Sequence, residues 1–191
     1  INYAATFAMT FLMSMYLQYN RGLTAQTAGL VLVAGAFMQV LVSPLAGRLV
    51  DRMSNRIVAG GGMALCVLAL LGLAFLTETT PYWYVIGMLC VLGVGFGFFA
   101  APVTHAIMGS VETRHLTVAS ATVATTRLAG QNLSMGLATL VLVLMVGGRE
   151  ISGSDYTQVL SSVRISFALF TGLCVVGLAA LLAVGRPQPR S

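Results

Sequence analysis

The chain alternates long apolar runs with short polar breaks, and each run has the length of a bilayer-crossing helix, about 20 residues. The spacing predicts six spans, over about 2–19, 27–46, 57–76, 82–108, 118–146 and 163–184. The first run ends at Asn20-Arg21-Gly22. The second is apolar apart from Gln39 and Ser43, has Pro44 near its end, and meets the densest charge cluster in the chain, Gly47 to Arg56. The third closes at Thr77-Glu78-Thr79-Thr80-Pro81. The fourth opens on Tyr82-Trp83-Tyr84, three aromatics placed as an interfacial belt. Glu112-Thr113-Arg114-His115 is the next polar turn. The first half of the fifth run is unusually polar, with Ser120, Thr122, Thr125, Thr126, Arg127, Gln131, Asn132 and Ser134. The longest loop is expected over Gly147 to Ser162, and Gly185 to Ser191 forms a tail. The runs are about twice the length of barrel strands and do not alternate polar with apolar, so helices are predicted. The predicted fold class is therefore an all-α membrane protein, one six-helix bundle over residues 1–191.

Composition fixes the solvent. Hydrophobic residues make up 58% of 191 and charged residues 8%, with a mean hydropathy of +0.91. A soluble domain carries about 25% charged residues, so the partner of this surface is a lipid bilayer. The net charge is +5 and every basic residue is Arg. These arginines mostly flank the apolar runs, which reads as topology rather than nucleic-acid binding. Arg48, Arg52, Arg56, Arg114, Arg186 and Arg190 fall on one side, and Arg21, Arg149 and Arg164 on the other. The positive-inside rule then places both ends in the cytoplasm.

Several chemistries drop out. Cys66, Cys90 and Cys174 stand alone inside apolar runs, with neither a CxxC nor a His at ligand spacing, so no disulfide framework and no metal site is expected. Gly93-x-Gly95-x-Gly97 lacks the strand, the third spacing and the downstream acid of a nucleotide fingerprint. No Walker motif, Ser/His/Asp set or HExxH is present, and no enzyme or cofactor is predicted.

Three arrangements carry candidate function. Gly47, Asp51, Arg52 and Arg56 spell G-x-x-x-D-R-x-x-x-R at a helix–helix turn. A small residue there permits close approach of helix ends. The carboxylate can face a helix N-terminus, and the arginines can pair with acids or lipid phosphates. Such a set can act as a breakable latch, or simply as a topology signal. Arg127 lies well inside the fifth run, where a charge costs about 2.5–3.5 kcal/mol on insertion scales. A wet cavity or a carboxylate would offset that cost, and so would snorkelling to the interface. Asn2, Gln18, Gln39, Thr104, Gln131 and Asn132, with Met9, Met13, Met15, Met38 and Met108, form the mixed polar and adaptable surface that broad ligand sites use, though each amide could equally bond a neighbouring helix. All five acids, Asp51, Glu78, Glu112, Glu150 and Asp155, lie in or beside loops, and His105 is the only titratable group near a span.

Pro44-Leu45-Ala46-Gly47-Arg48-Leu49-Val50-Asp51-Arg52 resembles the loop signature of the major facilitator superfamily, which occurs once in each half. Ser54 and Asn55 before Arg56 depart from the family pattern, as the second copy often does. Tyr16-Leu17-Gln18, Gly22-Leu23-Thr24-Ala25 and Ala28-Gly29-Leu30 resemble the fourteen-span EmrB/QacA-type drug/proton antiporters. So do Gly93-x-Gly95-x-Gly97, Ala101-Pro102-Val103-Thr104 and Arg127-Leu128-Ala129-Gly130-Gln131. The resemblance implies the C-terminal six helices of such a transporter, in a bacterial cytoplasmic membrane, exporting hydrophobic or cationic small molecules against protons by alternating access. It implies that the N-terminal half, and two helices between the halves, precede Ile1. Spans one, two, four and five would then line a cavity while three and six face lipid. Since no acid lies inside a span, the proton-carrying carboxylate is expected in the partner half, and this half alone is expected to self-associate. The rivals are transport of another solute, such as a sugar or metabolite, and a non-transporting membrane scaffold.

Overall fold

The computed structural model describes residues 2–77, 79–146 and 156–183. Six α-helices run through them: α1 (Asn2–Met15), α2 (Ala25–Val50), α3 (Asn55–Ala74), α4 (Tyr82–Gly109), α5 (Leu116–Val146) and α6 (Tyr156–Ala183). A π-helical turn, Tyr16–Asn20, extends α1, and a 3₁₀ turn, Thr113–His115, precedes α5. Helices α2 to α6 are each long and apolar enough to cross a membrane. Helix α1 reaches spanning length only with its π turn, roughly 28 Å together.

The ends of the helices differ from the apolar runs for local reasons. In the wider turn the Arg21 N–H donates to the Tyr16 carbonyl (3.2 Å) and the Leu23 N–H to the Leu17 carbonyl (3.0 Å). The chain then reverses at Gly22, whose φ of 64° is open to glycine without strain. Thr24 caps α2, its hydroxyl accepting from the Thr27 N–H at 3.3 Å. The helix continues through Pro44 to Val50, so Gly47 and Arg48, expected at a tight turn, are helical. Their polarity ends the apolar run without ending the helix. Helix α6 begins at Tyr156 rather than near 163. Buried Val159, Leu160, Ser162 and Val163 repeat at helical spacing there, and the Ser162 hydroxyl donates to the Gln158 carbonyl at 2.8 Å, so its polarity is satisfied within the helix. The loop expected over 147–162 is therefore shorter. Its residues 147–155, with Arg149, Glu150 and Asp155, lie outside the described residues, as do Glu78, Arg186, Arg190 and the side chain of Asn2.

Helix α4 packs between α2 and α3, α3 continues onto α6, and α6 and α1 both contact α5. Exchanging the first three helices for the last three maps this pattern onto itself. The α1–α5 pair becomes α4–α2, α3–α4 becomes α6–α1, and α3–α6 returns to itself. Three helices have odd parity, so the two triplets are inverted relative to each other, as in transporter repeats.

Glycine lets α4 hold two neighbours at once. A Cβ on Gly93 would run into the carbonyl oxygen of Gly35 in α2, and one on Gly97 would lie 3.2 Å from the Gln39 carbonyl oxygen. A Cβ on Gly95 would lie 2.8 Å from the backbone of Gly62 and Cys66 in α3. Positions 93 and 97 share one helix face and 95 lies on the opposite one, so the alternating glycines serve two backbones. Close packing of this kind is what associates helices in lipid, where burial of apolar surface supplies little.

One end of the bundle is tied across elements. The Tyr16 hydroxyl donates to the Thr77 carbonyl at 2.8 Å, and the Tyr84 hydroxyl to the Gly72 carbonyl at 3.0 Å. Arg164 Nε donates to the Ala74 carbonyl at 3.3 Å, and the Arg21 guanidinium sits 4.4 Å from the centre of the Tyr82 ring. Trp83 at this end is 74% exposed, as an interfacial aromatic would be.

Candidate functional site

Half of the spanning stretch of α3 is buried (50%), against 11% for α2 and 11% for α5. The two least buried helices are exchanged by the internal repeat. Both present broad exposed faces, with Leu30, Phe37 and Val40 on α2 and Leu128, Leu133 and Leu144 on α5. Two recesses open beside them.

The larger lies between the second half of α4 and the first half of α5, with a volume of about 590 Å³. Phe99, Val103 and Ile107 form one wall, and Ala119, Val123 and Arg127 the other, with His115 at its mouth. Arg127 sits about 17 Å from the start of α5 and about 6 Å short of its midpoint. Thr104 also lines this space, its hydroxyl donating to the Ala100 carbonyl at 2.9 Å. The second recess, about 280 Å³, lies between α1, α2 and α4 and holds Gln39, Met9, Thr10 and Phe96. It is the counterpart of the first under exchange of the triplets, narrowed because α4 closes on α2 through Gly35 and Gly93.

The structure thus brings Arg127 and Thr104 together and sets Gln39 apart from them. Gln18 is satisfied within its own helix, donating to the Ser14 hydroxyl at 2.8 Å. Gln131 is half-buried, and its carbonyl accepts from the Ser134 hydroxyl at 2.8 Å. Asn132, its neighbour, is exposed on the outer face of α5 beside Gly136 and Thr139. The six polar positions therefore do not form one continuous face. His115 is a wall residue that sequence reasoning passed over because it sits in a turn. His115, Ala119, Thr122 and Thr126 nevertheless follow one another at spacings of three and four, the mark of one helix face.

The charge cluster lies at the untied end. Asp51 caps the C-terminus of α2 and is exposed, as is Arg52. Ser54 opens α3, and Arg56, in its first turn, is half-buried beside Pro102, Val103 and Leu181. A Cβ at Gly47 would meet nothing within 4 Å, so the close approach expected of that glycine is not made within this chain. At the neighbouring turn Glu112 and Arg114 pair at 2.7 Å, both exposed. His105, on α4, is exposed. Among the described residues no group of three potential metal ligands comes together.

The whole chain, residues 1–191, matches the Major Facilitator Superfamily. It is 27% identical over 187 residues to the methylenomycin A resistance protein of Streptomyces coelicolor, covering 98% of this chain and 37% of the relative. It is 28% identical to the riboflavin transporter RibZ of Clostridioides difficile, over 72% of this chain and 29% of the relative. It is 30% identical to the multidrug resistance protein Stp of Mycobacterium tuberculosis, over 73% of this chain and 26% of the relative. The chain thus spans about a third of the length of these relatives. A helical fold of membrane-spanning helices and a family match along its full length lead to one assignment: the chain belongs to the major facilitator superfamily, a family of transporters rather than enzymes.

Proposed function

We propose that the chain is the C-terminal six-helix half of an EmrB/QacA-type transporter in a bacterial cytoplasmic membrane. In this reading it exports hydrophobic or cationic drugs against protons by alternating access. The observation that carries the reading is Arg127. It is a permanent charge close to the midpoint of a 31-residue membrane helix, on the wall of a crevice of about 590 Å³. A solute path along that wall would keep the charge in contact with water, which lipid would not, and the volume suits a drug-sized molecule. The names of two relatives, a methylenomycin resistance protein and a multidrug resistance protein, support the same reading.

The exposed faces of α2 and α5 would meet the N-terminal half. The exposed Asp51 and Arg52, with Gly47 and Arg56, would form the latch that closes the cytoplasmic rim against that half, and both chain ends would be cytoplasmic. Asp51 and Glu112 are the acids among the described residues, and both sit at helix ends, so the proton-carrying carboxylate is assigned to the partner half. The decisive experiment is drug efflux by the full-length protein carrying Asp51→Asn. Loss of one charge-assisted bond, about 1.5–3 kcal/mol, should lower efflux by about tenfold to a hundredfold with membrane insertion unchanged. Unaltered efflux removes the latch from the mechanism. The similarity to a riboflavin transporter favours a second reading, export of a metabolite; competition between riboflavin and drugs for transport separates the two.

A further inference from the structure

A carboxamide sits near the middle of the membrane, on the wall of the smaller recess. Gln39 lies about 21 Å along α2, within about 2 Å of the helix midpoint, and is half-buried. We propose that the α1/α2/α4 recess is a subsite for an uncharged planar ring whose edge carries a hydrogen-bond donor beside an acceptor, such as an imide, a lactam or an aminated heteroaromatic. Gln39 reads that edge. The proposal rests on the transport reading and narrows it: this recess takes the neutral ring of a transported molecule.

The backbone at this position is already served. The Gln39 carbonyl accepts from its own helix and from the Ser43 hydroxyl at 2.9 Å. The side chain is different: among the described residues the Gln39 carboxamide donates to no acceptor. Lipid tails offer an amide nothing to bond, so its hydrogen-bonding capacity calls for a partner in this space. A carboxamide presents an N–H donor and a carbonyl acceptor side by side. That edge matches any ring edge with the complementary pair, as it does when glutamine reads adenine. No charged residue lines the recess, so an ion there would find no counter-charge on these walls.

Size and shape agree with this assignment. The volume of about 280 Å³ falls just below the range of about 300–1,000 Å³ that holds whole drug-sized ligands, so it suits a fused ring system rather than an entire drug. Gly29 and Ala36 keep the α2 wall low, and a Cβ at Gly29 would meet nothing within 4 Å. A flat ring can therefore come close to that helix. Met9 from α1 and Leu92 from α4 supply apolar surface, and the thioether of Met9 adapts to irregular outlines.

The test uses the full-length protein in phosphatidylcholine nanodiscs, with empty nanodiscs as the blank. Binding of naphthalimide, a flat uncharged imide, is measured by calorimetry beside N-methylnaphthalimide, which keeps the ring and loses the donor. The unaltered protein should prefer the imide about tenfold, and in Gln39→Met, which keeps the length of the side chain and removes the amide, the ratio should fall to about one. A second variant, Gly29→Leu, fills the recess without touching the amide and should weaken both probes alike with their ratio kept. No preference in the unaltered protein, an unchanged ratio in Gln39→Met, or indifference of both probes to Gly29→Leu overturns the proposal. If Gln39 instead bonds a helix of the partner half, Gln39→Met lowers the unfolding temperature and leaves the ratio unchanged, which also overturns it. Movement of naphthalimide across vesicles under a pH gradient is recorded in parallel. Binding with the expected ratio but no movement defeats the transport reading and leaves the subsite standing; movement with equal affinities does the reverse.

Discussion

Replacing Gly93 by Ala tests how α4 is held. In an open helix the exchange is favourable, since Ala exceeds Gly in helix propensity by about 0.8–1.0 kcal/mol. Gly87 is such a position: it is exposed and a Cβ there would meet nothing within 4 Å. At Gly93 the new methyl would strike the carbonyl oxygen of Gly35, with its carbonyl and α carbons close behind. These are backbone atoms of a packed helix and cannot rotate away. Overpacking costs about 1–3 kcal/mol, and rigid neighbours put this case at the upper end. After the propensity gain the net loss is about 2 kcal/mol, so Gly93→Ala and Gly87→Ala should differ by about 3 kcal/mol in opposite directions. Unfolding in mixed detergent micelles, followed by circular dichroism, measures both. Gly62→Ala, whose Cβ would lie 2.6 Å from the Gly95 carbonyl oxygen, should behave like Gly93→Ala. Equal stability of Gly93→Ala and Gly87→Ala would refute the claim that α2 and α4 meet backbone to backbone.

Two more predictions follow from the tied end and from the placement of acids. Tyr16→Phe keeps the buried ring but removes the bond to the Thr77 carbonyl, and should cost about 0.5–1.5 kcal/mol in the same unfolding assay; no change would mean that this tie contributes nothing. The 191-residue chain alone, placed in vesicles under a pH gradient, should show no proton-coupled solute flux, and robust coupled flux would locate the proton carrier among its own residues.

Much of the fold was legible because lipid imposes a simple rule: apolar runs of spanning length become helices. What the rule reads is transfer to lipid, so it misplaces ends set by backbone bonding. Gly47 to Val50 stayed helical despite Arg48 because nothing in those residues breaks a helix that has already passed Pro44. Residues 156–162 were read as loop because of Ser161 and Ser162, yet a serine can bond back to its own helix while its neighbours pack. The glycines of α4 were legible as close packing, but not that they face two different helices. At the site, Arg127 and Thr104 were recognised and do share a space. Asn132 was grouped with them by type, although consecutive helical residues point about 100° apart and it lies on the exposed outer face, a step round the helix from Gln131. A spacing test that separates them would also have shown the stripe that begins at His115.

The ties at Tyr16, Tyr84, Arg164 and Arg21 all lie at one end, and the crevice gapes at the other. Mechanically the helix bundle is a fan with a riveted handle. Helix α5 is an arm of about 46 Å, so a tilt of about 10° pivoted near the rivets would carry its far tip about 8 Å. Motion would then be amplified where Glu112 and Arg114 sit and damped where Trp83 meets the interface, and cross-links placed at the two ends should differ in how much they slow turnover.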